Sequence, residues 1–168
     1  MLVLRCTQKL LRKNPGPSNG REDSLMPVLG SWHANLIRLA HSPVVLCAND
    51  ISLLAIVVRG RDFPRFVFAF RDRLARRLRR MGVSHQAVSL ELAAMEMVRI
   101  EQSNNRSVLA SMNDLVRHLR WKVGNHFDPL QADELENMLS EIPMGSLEYQ
   151  YPVEVALAAF NSGFDRAS

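Results

Sequence analysis

The chain is 168 residues long, the size of one ordinary domain, and can bury roughly two-thirds of the surface exposed by its unfolded form. Apolar residues make up 47% and charged residues 23%, which excludes wholesale disorder, and no apolar run reaches the about 18 residues of a helical membrane span. Lys and Arg number 21 against 17 Asp and Glu, so the formal charge of +4 is only a modest attraction to acidic partners, and the placement of the arginines matters more than their sum.

In chain order, Leu2 to Thr7 alternates and runs into Gln8 to Lys13, which predicts a short edge strand followed by one or two helical turns. Cys6 and Cys47 occupy apolar, strand-like contexts without CxxC spacing and are expected as buried, reduced thiols. Arg5 interrupts the apolar opening and no small-residue cleavage site follows, so a cytoplasmic location is expected. The stretch 14–30, rich in Pro, Gly, Ser and Asn, reads as a flexible surface loop.

Trp32 to Leu39, Val44 to Cys47 and Ile51 to Val58 read as strands, separated by His41-Ser42-Pro43 and Ala48-Asn49-Asp50; spacing this tight predicts an antiparallel meander. Leu53 to Val58 is apolar without alternation, which predicts a central strand with both faces covered. Asp62 has the form of an N-cap with Pro64 in the first turn. Phe63, Phe66, Val67, Phe70, Leu74, Leu78 and Met81 then recur at three and four, defining one helix that ends at Gly82. A second helix is predicted from Ser84 to Met95, an edge strand at Val98 to Glu101, a third helix from Arg106 to Val123, and a fourth capped by Asp128-Pro129 and closed before Pro143. A loop through Tyr149 and a short helix after Pro152 complete the chain.

Strands first and helices afterwards give an α+β fold, an antiparallel sheet of about four to five strands with helices packed mainly on one face. Residues 1–143 are expected as a single domain, with 144–168 a tail that packs on it or extends from it.

Two stretches stand out chemically. On helix 62–81, at 100° per residue from Phe66, the apolar stripe spans about 0 to 120°, and Arg65, Arg73, Arg76, Arg79 and Arg80 fall between about 220 and 340°. Those five guanidinium groups share one solvent face without interspersed Glu, a row able to grip phosphate or carboxylate bidentately; the plainer reading is the solvated side of an amphipathic helix. On the third helix, Asn105, Arg106 and Ser107 at the amino end suit an anion, and Asp114 and His118 stand one turn apart as an orienting pair. Trp121 projects beside Arg117, away from the apolar face; the carboxy-terminal tail is expected to cover it, and an exposed Trp121 would make with Arg117 a natural partner contact. Helix capping and a surface ion pair account for the Asn105 and Asp114 groups more simply. The zinc, serine-elbow and phosphate-loop motifs are absent from the sequence, and His33, His41, His85, His118 and His126 fall at no metal-ligand interval, so neither metal nor cofactor is expected.

Arg5-Cys6-Thr7-Gln8-Lys9-Leu10-Leu11, the strand Trp32-His33-Ala34-Asn35-Leu36 with Val45-Leu46-Cys47-Ala48-Asn49, and the run from Asn104 to Leu115 together resemble an uncharacterised bacterial family of small proteins, over most of residues 1–123. The resemblance implies a bacterial, soluble protein and carries no activity with it. The sequence therefore favours a non-catalytic binding or regulatory module, antitoxin-like in size and charge, that presents the arginine face, Arg117 and Trp121 to an acidic partner, nucleic acid or protein. The alternatives are a small enzyme or ligand-binding domain built on Asn105, Arg106, Ser107, Asp114 and His118, and a structural subunit of a homo-oligomer. No membrane partner is expected.

Overall fold

The computed structural model describes residues 1–13, 16–21, 24–60 and 65–165, with side chains described as far as residue 162. The elements run β1 (Leu2–Cys6), α1 (Gln8–Leu11), β2 (Trp32–Leu39), β3 (Ser42–Asn49), β4 (Ala55–Arg59), α2 (Phe66–Arg80), α3 (His85–Ala94), β5 (Val98–Gln102), α4 (Arg106–Val123), α5 (Ala132–Ser140) and α6 (Pro152–Asp165). The strands form one five-stranded sheet in the order β4-β3-β2-β1-β5.

β2, β3 and β4 make the expected antiparallel meander, but β1 pairs parallel with both β2 and β5. The fold is α+β with a mixed sheet, not an antiparallel one, and β1 is an interior strand, not an edge. Tight turns force antiparallel neighbours, whereas the long connections that separate β1 from β2 and β4 from β5 let a strand enter in either direction. Turn spacing therefore decides the meander and leaves β1 undecided.

Helices cover both faces of the sheet rather than one. On one face Leu4, Trp32 and Ile56 meet Phe66, Phe70 and Leu74 of α2, Val88 of α3 and Phe160 of α6. On the other, Leu39, Leu46 and Val57 meet Met112, Leu115 and Leu119 of α4 with Leu135 and Leu139 of α5. Successive strand residues point to opposite faces, so β3 sends Val45 and Cys47 to the first core and Val44 and Leu46 to the second. β4 is apolar for the same reason, and it lies at an edge of the sheet, not at its centre. Part of that edge is closed by a side chain: Glu136 Oε1 on α5 accepts the Val57 N–H at 2.8 Å. At the opposite edge the Asn19 N–H donates to the Val98 carbonyl at 2.8 Å and Asn19 Oδ1 accepts the Val98 N–H at 2.7 Å, so residues of the expected loop run along β5.

The boundaries follow from local chemistry. α2 ends where the Gly82 N–H bonds the Arg79 carbonyl and the Val83 N–H reaches back to Leu78, with Gly82 at φ 87°, a conformation that costs glycine nothing. Ser84 Oγ accepts the Ala87 N–H at 3.2 Å and caps α3. The expected Asp62 cap lies outside the described residues. After residue 143, Met144 enters one core while Ala156 and Phe160 enter the other. Among the described residues no helix is long and apolar enough to cross a membrane.

Candidate functional site

The arginines of α2 do not share one surface. Arg73 is only 18% exposed; its Nη2 lies 2.8 Å from Glu136 Oε1 and 3.0 Å from Asp133 Oδ1, both on α5. Arg80 donates to the same Asp133. Arg76 pairs within its own helix with Asp72 at 2.9 Å, while Arg65 and Arg79 are exposed and make no ion pair among the described residues. Three of the five expected side chains, Arg73, Arg76 and Arg80, are thus tied to carboxylates of the chain itself. The helical angle explains Arg73: at about 340° it lies only about 20° from Phe66, beside the core rather than opposite it.

Arg77, absent from the expected row, sits at about 20° inside the apolar stripe. It is buried, donating to Asn137 Oδ1 and, at 2.5 Å, to Ser140 Oγ. The partners Asp133, Glu136, Asn137 and Ser140 recur on α5 at three and four, and Arg73, Arg77 and Arg80 recur likewise on α2. That pair of complementary polar stripes was the sequence signal for a helix–helix contact. Burial pushes the Glu136 carboxyl above its usual range despite Arg73 and the Val57 N–H, whereas the hydrogen bond from Arg80 holds Asp133 below it.

What remains open of the row is its amino-terminal half. Arg59 at the end of β4 joins Arg65, Arg73 and Arg76 around a cleft of about 260 Å³, with Phe68 and Asp72 on its wall. Among the described residues Asp72 is the carboxylate on that wall, Arg73 is held from behind by Glu136 and Asp133, and Phe68 is 67% exposed.

On the far side of the sheet, Asp114, Arg117, His118 and Trp121 come together with residues 142–145 around a second cavity of about 440 Å³. Within it Asp114 accepts from Arg117, not from His118, so the expected orienting pair does not form. Trp121 is 83% exposed. The tail does not cover it: Phe160 belongs to the opposite core, and Tyr149 and Tyr151 are themselves exposed. The expected anion site at the start of α4 is taken up by its own cap, because Asn105 Oδ1 accepts the N–H groups of Ser107 and Val108 at 3.1 and 3.2 Å. Arg106 is exposed, and Asn105 and Ser107 line a separate small pocket of about 140 Å³ with Asp50, Ser111 and Ser146.

One polar cluster escaped the sequence reading. Register places His33 of β2 and Glu101 of β5 on either side of Arg5 in β1. Arg5 Nη1 donates to Asp50 Oδ2 at 3.0 Å, and its Nε lies 3.5 Å from Glu101. His33, fully buried, has Nδ1 2.8 Å from Ser103 Oγ and Nε2 3.3 Å from Asp50 Oδ1. The latter contact lies off the line of a hydrogen bond, and Nε2 has no other partner. Burial lowers the His33 pKa, and the neighbouring Asp50 only partly offsets it. Asp50 is held by the turn after β3, where buried Asn49 donates to the Leu29 and Ser31 carbonyls at 2.7 and 3.0 Å and accepts from the Ser52 N–H and hydroxyl at 2.9 and 2.8 Å. The available signal was a histidine at an inward position of an apolar strand; its partners are remote in sequence.

Fold and site together define an α+β protein with helices on both faces of a mixed sheet and an arginine-lined cleft at one sheet edge. Residues 3–155 match the family described as Domain of unknown function (DUF6933), and the chain belongs to that family. The resemblance seen in the sequence to a family without assigned activity agrees with this match. No curated protein and no solved structure matches the chain.

Proposed function

We propose that the protein is a binding module for an acidic partner, nucleic acid or protein, and that an anionic group of the partner enters the cleft at the start of α2. The exposure of Arg65 and Arg76 on one cavity, with Arg73 oriented beside them, carries this reading. Arg73 is fixed by Glu136 and so is oriented in advance. Arg76 is 59% exposed, and its pair with Asp72 is an i,i+4 surface contact worth only about 0.3–0.5 kcal/mol, so it turns to a phosphate or carboxylate at small cost. Bidentate guanidinium bonds to such groups are stronger than the contact given up. Exposed Phe68 on the cleft wall offers a flat apolar surface beside the charges.

Labelled single-stranded and duplex oligonucleotides and an acidic peptide, titrated by fluorescence anisotropy, test this. Binding should weaken steeply between about 50 and about 200 mM salt. Arg65→Glu with Arg76→Glu should cost at least about tenfold in affinity, while the melting temperature stays near that of the unmodified protein. Unchanged affinity in that double variant, or failure of all three polyanions to bind, would sink the reading.

Trp121 offers a second contact surface, on the opposite side of the sheet. Trp121 and Arg117 line the groove on α4. Trp32 is fully buried and Trp121 is 83% exposed, so a partner reaching both surfaces should alter the water-exposed part of the tryptophan emission and leave the buried part alone.

A further inference from the structure

We propose that the anionic partner of the cleft is a single-stranded nucleic acid. One unpaired base stacks on Phe68, Arg65 and Arg76 hold the phosphates on either side of it, and Asp72 accepts a hydrogen bond from an amino group of the base. This rests on the reading of the cleft as an anion site and narrows it to one class of partner.

Four side chains carry the assignment. From the N-cap of α2, Arg65, Phe68, Asp72 and Arg76 follow at steps of three, four and four residues, so they stand in one row along the helix, and all four line the same cleft of about 260 Å³. The row has a guanidinium at each end and a ring and a carboxylate between them. At about 1.5 Å per residue, Arg65 and Arg76 begin about 16 Å apart along the axis, which leaves room for a base and its flanking phosphates.

Phe68 separates one class of partner from the other. It is 67% exposed and belongs to neither hydrophobic core, although Phe66 and Phe70 of the same helix are buried. A bare ring among guanidinium groups adds little to the grip on an acidic peptide, whose carboxylates seek charge alone, whereas every base has a flat face to lay on it. Bases in a duplex are closed within their own stack, so only an unpaired one reaches the ring. Asp72, 47% exposed, makes the same choice: it repels a second carboxylate but accepts from the exocyclic amine of a base, as carboxylates do from N4 of cytosine. Its partner in the empty cleft is Arg76 Nη2 at 2.9 Å. When Arg76 turns to a phosphate, the amine takes its place, and neither charge is left unmatched. Arg73, held by Glu136 and Asp133, stays where it is through this exchange.

The test uses the full chain and fluorescence anisotropy. The probes are oligo-deoxycytidine and oligo-deoxyuridine of one length, a duplex of that length and a polyglutamate peptide of equal charge, with deoxycytidine monophosphate as competitor. Phe68→Ala should weaken oligo-deoxycytidine about 5- to 100-fold, the range for one lost stacking contact, and leave duplex and peptide where they were. Phe68→Trp should keep the affinity, and neither change should move the melting temperature, because the ring is exposed. Oligo-deoxycytidine should be preferred about threefold or more over oligo-deoxyuridine, which carries a carbonyl in place of the amine, and Asp72→Ala should remove that preference. Peptide or duplex affinity equal to that of the single strand, unchanged single-strand affinity in Phe68→Ala, equal binding of the two strands, or a mononucleotide that competes as well as the strand each overturns the assignment. In all four cases a loss of binding in Arg65→Glu with Arg76→Glu still upholds the cleft as an anion site, whereas unchanged binding in that double variant removes the cleft itself, so the two failures are told apart.

Discussion

α2 and α4 each carry arginines outside an apolar stripe, yet the two helices use them differently. Arg73, Arg77 and Arg80 of α2 are bonded to Asp133, Glu136, Asn137 and Ser140 on α5. On α4, Arg106 and Arg120 are exposed, Arg117 bonds among the described residues to Asp114 one turn away, and Lys122 reaches Glu134 of α5 at 3.2 Å. A basic helix face becomes structural when a neighbouring helix brings acceptors at the same period, and stays available to a partner when none does. α5 lies against α2 through these contacts, and no described element covers Trp121 in the same way.

The comparison breaks first at Glu136. Glu136→Ala leaves the buried Val57 N–H without its acceptor and Arg73 with Asp133 alone, and should cost about 1–3 kcal/mol in urea denaturation, the cost of an unsatisfied buried donor. A loss below about 1 kcal/mol would mean that the α2–α5 contact is no more than surface polarity.

Acid should act on the same contact. Asp133 is held below its ordinary value of 3.8 chiefly by Arg80, so the stability it contributes is fully present above pH 3.8 and is lost as pH falls through the lower folded value. Asp133→Asn should flatten that acid limb in a pH series of thermal melts.

Smaller effects belong to the open surfaces. Arg65→Glu with Arg76→Glu should change stability by no more than about 0.5 kcal/mol, since neither side chain is buried. Trp121→Ala should be equally silent in denaturation while removing the solvent-exposed tryptophan emission. A cost of about 3 kcal/mol or more for Trp121→Ala, the range for a buried large aromatic, would place a covering segment over it and erase the contrast between the helices.

Local chemistry written in adjacent residues determined much of this protein. The meander follows from two short turns, α3 from Ser84, the end of α2 from Gly82, and the span of α4 from its apolar repeat. Each of those depends on residues a few positions apart, so the chain states it directly. The parallel seat of β1, the edge position of β4, the second helical layer, the pairing of α2 with α5, and the meeting of His33, Asp50 and Ser103 were decided only by the tertiary structure. All of them join segments separated by long connections, whose closing entropy changes slowly with length and so leaves little mark on the sequence between. Packing of apolar faces and the need to satisfy buried charge chose among the arrangements that local pattern allowed.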